Sequence, residues 1–441
     1  MKKVWYTLVL GVTFFYACTS GEPTTAEENE GVTKMELVNK DGNYQLLLNG
    51  EPFYIKGAGL EFGNVEALAA HGGNSFRTWR TDNGQDSGQE VLDRAQRNGL
   101  YVTMGIEVAR ERHGFDYNDP QAVAEQFERI KAEIMEFKDH PALIIWAIGN
   151  ELNLRATNPK VWDAVNQISE FIHEVDPNHL TTSTLAGIDK QLVDDIKQRA
   201  PDLDILSIQM YGDIVNLTER VADAGWDGPY IVTEWGATGH WEVDTTAWGA
   251  PIENNSSQKA DFYRERYKVA IEPNQAQCVG SYVFLWGQKQ ERTPTWYGMF
   301  MPDGQETEAV QAMHYIWNGS WPENRCPRLE GFQLESKVAT DDIILSPDTE
   351  ASSTVMVTDA EGDPLTYTWE IKPESTDLGD GGDYESEPEA VAGLFGENTN
   401  QSAIQFTTPA KEGAYRIFVS IEDGNNNVAH ANIPFYVKAA E

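Results

Sequence analysis

Ile144-Ile145-Trp146-Ala147-Ile148-Gly149-Asn150-Glu151 and Tyr230-Ile231-Val232-Thr233-Glu234-Trp235-Gly236 are the stretches whose reading decides the fold. Each is an apolar run, rich in β-branched residues, that ends abruptly on a glutamate. Strands covered on both faces read as continuous apolar runs without alternation. In a parallel β/α barrel the C-terminal strand ends form the working mouth, where such a glutamate would be delivered. A lone Asn-Glu after a strand has a plainer reading, since Asn caps helices well and Glu suits a first turn. The sequence around the two runs decides between these readings.

Working outward, residues 44–316 alternate apolar strand-like runs with amphipathic helical stretches. Strands are expected at 54–57, 75–78, 101–105, 143–149, 180–184, 205–210, 230–233 and 281–285, with helices including 89–98, 121–137, 159–175 and 258–271. Asn49-Gly50 between two short apolar runs signals a hairpin turn before the first of these strands. A doubly wound open sheet gives similar alternation, but no Gly-rich phosphate loop follows the first strand. The pattern predicts an α/β chain, a (β/α)8 TIM barrel over residues 35–322. Beyond Trp321 the composition turns strand-rich, with runs at 353–357, 365–371, 403–406, 415–421 and 430–437. A C-terminal immunoglobulin-like β-sandwich over 328–441 is expected there. Residues 376–389 form an acidic, Gly-rich insertion, which predicts a mobile loop, and the module as a whole reads as a spacer. The stretch 359–369 resembles polycystic-kidney-disease-type modules. Asp359, Glu361, Asp363 and Asp423 could there supply oxygen ligands for Ca²⁺, or be solvated turn acids.

Lys2 and Lys3 followed by apolar residues 4–17 read as a targeting segment, too short to span a bilayer as a helix. Phe15-Tyr16-Ala17-Cys18 resembles a bacterial lipobox, so residues 1–18 are expected to be a lipoprotein signal. Cys18 would then carry the lipid that tethers the chain to the cell envelope, at the outer membrane or cell surface. An ordinary secretory signal is the alternative. Residues 19–34, rich in Gly, Pro, Thr and Glu, read as a flexible tether. The formal net charge of −37, from 33 basic and 70 acidic side chains, argues against nucleic acid. It also disfavours strongly anionic polysaccharides, leaving a neutral glycan as the expected partner of a monomeric chain. Cys278 and Cys326 permit either a disulfide in an exported protein or two buried thiols.

Read in strand order, the expected barrel mouth carries a chemically coherent set. Strand two ends at Arg77, which could hydrogen-bond a carboxylate, or could be a structural ion pair. Strand four ends at Asn150-Glu151, where the Asn150 amide suits a sugar hydroxyl, and strand six at Gln209-Met210-Tyr211, which puts the Tyr211 phenol at the substrate site beside the attacking carboxylate. Strand seven ends at Glu234 and strand eight at Trp286, whose indole could receive a sugar face. Tyr211 and Trp286 could equally fill the barrel top. Two carboxylates facing one cavity are equipped to break a glycosidic bond, one protonating the leaving oxygen and the other attacking the anomeric carbon. Of thirteen tryptophans, Trp79, Trp235, Trp241, Trp248 and Trp296 fall on loops after strands two, seven and eight. Trp79 and Trp241 are the candidates for substrate contact. Glu107, Arg110, Arg112 and His113 read as subsite residues or as a salt-bridged loop. No His and carboxylate set has the spacing of a catalytic metal site, and no cofactor is expected.

Arg77, Asn150-Glu151, Tyr211, Glu234 and Trp286, in that order, resemble clan A glycoside hydrolases, retaining (β/α)8 enzymes that include families 2 and 5. Leu48-Asn49-Gly50-Glu51-Pro52-Phe53 is similar to the segment opening the family 2 barrel. A barrel followed by one immunoglobulin-like module is closer in architecture to family 158, whose members are endo-β-1,3-glucanases. The resemblance covers residues 40–320 by motif. It implies Glu151 as general acid/base, Glu234 as nucleophile supported by Arg77 and Tyr211, and a laminarin-type β-glucan as substrate. Other clan A activities (β-mannanase, exo-β-galactosidase or β-mannosidase) are the enzymatic alternatives. A non-catalytic glycan-binding surface lipoprotein is the alternative of another class, and it would have no need of both carboxylates.

Overall fold

The computed structural model describes Met1 and residues 31–439. The expected signal segment, Cys18 and most of the tether lie outside the described residues. Eight strands close a parallel barrel: β1 (Ile55–Gly59), β2 (Ser75–Arg77), β3 (Tyr101–Ile106), β4 (Leu143–Asn150), β5 (Leu180–Ala186), β6 (Ile205–Gln209), β7 (Tyr230–Glu234) and β8 (Cys278–Val283). Every residue of β4 and of β7 is buried, as their unbroken apolar sequences require. The barrel interior is filled by Tyr282, whose hydroxyl meets Ser75 Oγ at 2.9 Å and Thr103 Oγ1 at 2.6 Å. Its ring lies against Gly57, where a Cβ would sit 2.3 Å from a ring carbon, so only glycine fits there.

Ahead of β1, strands at 35–40, 43–48 and 51–53 form a small antiparallel sheet. Its turns are Asp41-Gly42 and Asn49-Gly50, with positive φ at all four residues, the conformation of tight two-residue hairpin turns. Met35 and Leu46 from this sheet pack with Ile55, Ile144, Ile145, Ile205, Ile231 and Val279, which lie at or near the N-terminal ends of barrel strands. The barrel is thereby plugged at one end, and the C-terminal mouth is left open.

The helical ring comprises α1 (Val65–Ala70), α2 (Gly88–Arg97), α3 (Pro120–Phe137), α4 (Lys160–Val175), α5 (Lys190–Arg199), α6 (Leu217–Ala224), α7 (Ser256–Arg266) and α8 (Glu308–Asn318). Ser87 and Glu90 form a capping box on α2, and Asp119 caps α3 ahead of Pro120. The helix expected to run to residue 271 instead ends at Arg266 and continues as a π turn over Tyr267–Ile271. Among the described residues no helix is long and apolar enough to cross a membrane.

The C-terminal part is a β-sandwich. One sheet has the order β9 (Arg328–Leu334), β10 (Glu350–Thr358), β12 (Ala403–Thr407). The other has β11 (Thr366–Pro373), β13 (Gly413–Glu422) and β14 (Asn427–Val437), all antiparallel. Trp369, Ile417, Val419, Phe435, Val355 and Leu334 belong to its core. At its edge β14 pairs with Glu306–Thr307, a segment just before α8, so the sheet extends onto the barrel side.

A buried polar joint reinforces this union. Glu253 accepts from Lys259 Nζ at 2.5 Å, Thr293 Oγ1 at 2.5 Å, Thr295 Oγ1 at 2.9 Å and Asn432 Nδ2 of β14 at 2.5 Å. Burial alone would raise its pKa, but the neighbouring Lys259 and His430 and the hydrogen bonds from Lys259 and Thr293 outweigh it and lower the value from 4.5 to about 2. A carboxyl whose pKa is depressed on folding stabilises above its unfolded value and stops doing so as pH falls through the folded one. Melting temperature should therefore drop between pH 4.5 and about 2, less steeply in Glu253→Gln, as calorimetry across that range would register.

Cys278 and Cys326 are both buried and free, so of the two sequence readings the structure has separate thiols. Burial pushes the Cys278 thiol up to about 11, which makes it unreactive at neutral pH.

Candidate active site

Glu234 closes β7 at the barrel mouth and is 5% exposed. Four donors converge on it. Arg77 at the end of β2 donates through Nη1 at 3.2 Å, Trp79 through Nε1 at 2.9 Å and Gln209 of β6 through Nε2 at 2.9 Å, all to Oε1. Tyr211 donates to Oε2 at 2.7 Å. Such a set suits an ionised carboxyl, which only accepts. Arg77 is 1% exposed and its other terminal nitrogen, Nη2, donates to Asn150 Oδ1 at 2.8 Å. That same oxygen also accepts from Gln209 Nε2 and Thr184 Oγ1. One network thus fixes Asn150 and Glu234 from β2, β5 and β6. Burial, and then the adjacent Glu234 charge, push the Tyr211 phenol well above its ordinary value, keeping it a donor.

Glu151 follows β4 in a different setting. Its φ is +51°, a left-handed conformation uncommon outside glycine, and the preceding Gly149 has φ +73°. The main chain is pinned there: Glu151 N donates to Thr184 O at 2.9 Å, Arg110 Nε to Asn150 O at 3.1 Å, and Arg112 Nη1 to Glu151 O at 3.2 Å. Among the described residues nothing donates to its carboxyl. Burial first, and the Glu234 charge second, raise its pKa from 4.5 to about 7 against the pull of Arg112, Arg110 and Arg77. One carboxyl gripped by four donors beside another with none and a raised pKa is an arrangement suited to dividing the roles of nucleophile and acid.

Both glutamates line one cavity of about 1180 Å³, together with Phe62, Trp79, Tyr211, Trp241, Phe284 and Gln290. Trp241 is 60% exposed, its ring 5.5 Å from that of Tyr211 and nearly perpendicular to it. Trp286 stands otherwise than the sequence suggested. Its side chain is 0% exposed, packed on Phe300, Trp317 and His71, with Nε1 donating to Asn64 O at 2.9 Å. No indole face is left for a sugar. Trp286→Ala should accordingly cost about 3–5 kcal/mol of stability, the range for truncating a core Trp, and register first in denaturant titrations. Trp235 and Trp296 are likewise buried, and Trp248 packs on Tyr436 of the C-terminal module.

The acidic loop expected to be mobile is instead strapped over this mouth, because donor side chains of the barrel meet its acids and carbonyls. Arg155 pairs with Asp380 at 2.5 Å, His113 with Asp383 at 3.1 Å, and Arg292 with buried Glu385 at 2.6 Å. Lys289 Nζ donates to Gly382 O at 3.0 Å and Arg112 Nη2 to Gly381 O at 3.4 Å. The module is therefore more than a spacer: residues 381–385 and 387 line the cavity. Arg112 and His113 brace the loop, whereas Glu107 and Arg110 line the cavity. Farther away, single oxygens of Asp359, Asp363 and Asp423 lie within 4.8 Å of one another. Glu361 stands outside that group and accepts from Arg325 N.

Gln209 and the 377–387 loop were the functional features without an assignment from sequence. Gln209 had a signal: it is a polar residue in the apolar strand β6, two positions before Tyr211 and hence on the same side.

Residues 64–247 match the family profile described as "Glycosyl hydrolases family 2, TIM barrel domain". The chain is similar in structure to the β-D-glucuronidase of Dictyoglomus thermophilum, with TM-score 0.50 and 18% identity over 66% of this chain and 54% of that one. It is similar also to a Bifidobacterium dentium β-glucuronidase complexed with coumarin-3-O-glucuronide, with TM-score 0.50 and 20% identity over 65% and 49%. The β-glucuronidase of Ruminococcus gnavus matches with TM-score 0.50 and 15% identity over 65% and 53%. The chain spans about half the length of these solved proteins. At such identities the likeness is one of fold. Together with the profile match it shows a TIM barrel similar to that of family 2 glycosyl hydrolases.

Proposed function

We propose that this protein is a retaining glycoside hydrolase acting on a neutral β-glucan. The observation that carries the reading is the contrast between Glu234, held by four donors, and Glu151, which has none and a pKa raised to about 7. Glu151 gives its proton to the glycosidic oxygen while a Glu234 oxygen bonds to the anomeric carbon and the bond to the leaving sugar breaks. The glycosyl ester cancels the Glu234 charge, removing one of the influences that kept the Glu151 proton in place. Glu151 then takes a proton from water as the water oxygen attacks the anomeric carbon. Glu234 leaves as the carboxylate, and the product keeps its configuration.

The cavity chemistry favours a neutral sugar. A uronate needs an available cation, and three of the four that line the cavity are paired with carboxylates, while the fourth spends its Nε on a main-chain carbonyl. Arg80 pairs with Glu61 at 3.0 Å, Arg94 with Glu66 at 2.9 Å and Lys289 with Glu291 at 2.9 Å, while Arg110 donates to Asn150 O. The cavity exceeds the roughly 300–1,000 Å³ typical of a drug-sized ligand, which suits more than one sugar ring. A barrel followed by an immunoglobulin-like module, the arrangement that resembles family 158, supports endo cleavage of a β-1,3-linked, laminarin-type glucan. The Lys2-Lys3 and Cys18 segment supports a chain tethered by lipid to the cell envelope.

Purified protein assayed on laminarin, cellulose, mannan and an aryl β-D-glucuronide tests this. Release of short oligosaccharides from laminarin is expected, with little product from the others. Cleavage of mannan or of the glucuronide with laminarin untouched would overturn the substrate and spare the two-carboxylate mechanism.

A further inference from the structure

The 379–385 segment belongs to the C-terminal module, yet it reaches the acid/base of the barrel. A Cβ added to Gly381 would lie 3.0 Å from Glu151 Oε2, 2.6 Å from Leu154 Cδ2 and 2.9 Å from Arg112 Nη2. Gly381 has φ +58°, so main chain alone, and at this point glycine, permits the approach. The oxygen that Glu151 protonates belongs to the departing sugar. The departing sugar must therefore lie against this segment.

Two further features of the same wall have no internal purpose. Tyr384 is 86% exposed and lines the cavity, although both neighbours are anchored, Asp383 by His113 and Glu385 by Arg292. A large aromatic side chain held at the rim of a polar cavity on a braced loop marks a contact surface. Gln290 lines the cavity beside Lys289, the residue that clasps Gly382 O. Both of its side-chain amide atoms are buried without a partner. Buried amide groups are normally satisfied, and if this side chain turns toward the cavity a sugar hydroxyl can give and receive in the way the amide requires.

Resting on the reading of the site as a retaining glycosidase, we propose that the C-terminal module builds the leaving-group subsite. In it Tyr384 offers the ring on which the departing sugar stacks, and Gln290 binds one of its hydroxyls. The module thereby helps set which glycosidic bonds are cut efficiently, because cleavage draws on the binding of a sugar held jointly by Tyr384 of the module and Gln290 of the barrel.

The test uses the full chain and two substrates, a laminari-oligosaccharide, whose leaving group is a sugar, and 2,4-dinitrophenyl β-glucoside, whose leaving group is not. In Tyr384→Ala, and separately in Gln290→Ala, the ratio of kcat/KM on the oligosaccharide to kcat/KM on the aryl glucoside should fall about tenfold. Transfer of glucosyl units to added oligosaccharide acceptor, which must occupy the same subsite, should fall with it. An unchanged ratio in both variants, with wild-type protein active on both substrates, would overturn the subsite assignment and leave the glycosidase reading standing. Wild-type protein inactive on both substrates would instead overturn the reading on which the assignment rests.

Discussion

Glu234→Gln should abolish turnover, lowering kcat by about 10⁴–10⁶-fold, as removal of an attacking group does in other covalent mechanisms. The amide keeps the shape of the side chain but cannot form the glycosyl ester. Folding should survive, because Arg77 retains Asn150 Oδ1 and Thr233 O as acceptors. Cutting the side chain back in Glu234→Ala opens room for an external nucleophile. Azide should then restore activity on an activated β-glycoside and yield the α-glycosyl azide, since a single displacement inverts. Mass spectrometry and proton NMR of the products check both statements.

Glu151→Ala should show an effect that depends on the leaving group. With a sugar or alkyl alcohol departing, loss of the proton donor should lower kcat/KM by about 10²–10⁴-fold. With dinitrophenolate departing, the first step needs little protonation and the glycosyl ester should accumulate. Azide should relieve that block and give the β-glycosyl azide, the anomer opposite to the one from Glu234→Ala. The pH profile carries the same information. Glu151 must hold its proton to act as acid, and its pKa is raised to about 7. Wild-type kcat/KM on an oligosaccharide should be high below that value and fall as pH rises through it, and the variant should lose this limb. A limb unchanged in Glu151→Ala would assign the titration to another group.

Much of this was legible in the sequence because each feature had a local signature. The apolar runs of β4 and β7 identify strands buried on both faces, and a closed parallel barrel is an arrangement that buries so many. Asn49-Gly50 names its turn by chemistry alone. Arg77, Asn150, Tyr211 and Glu234 occupy the ends of their strands, where barrel geometry brings them into hydrogen-bonding distance. Trp286 shows where that logic stops. Following the last barrel strand does not determine which way an indole turns, and here Phe300 and Trp317 take its face. The 377–387 loop was illegible for a different reason. An acidic, Gly-rich composition is the mark of a mobile segment. What fixes the loop is a set of partners, Arg112, His113, Arg155, Lys289 and Arg292, on three barrel loops far away in the chain. Charge complementarity across the fold carries no signal in either segment alone.

The central claim is double displacement through Glu234, and the configuration of the first-formed product tests it most directly. Proton NMR recorded during the first turnovers on a β-linked glucan, before mutarotation, should display the β-anomer of the new reducing end ahead of the α-anomer. The α-anomer appearing first would mean that water, and not Glu234, attacks the anomeric carbon, and would contradict the account.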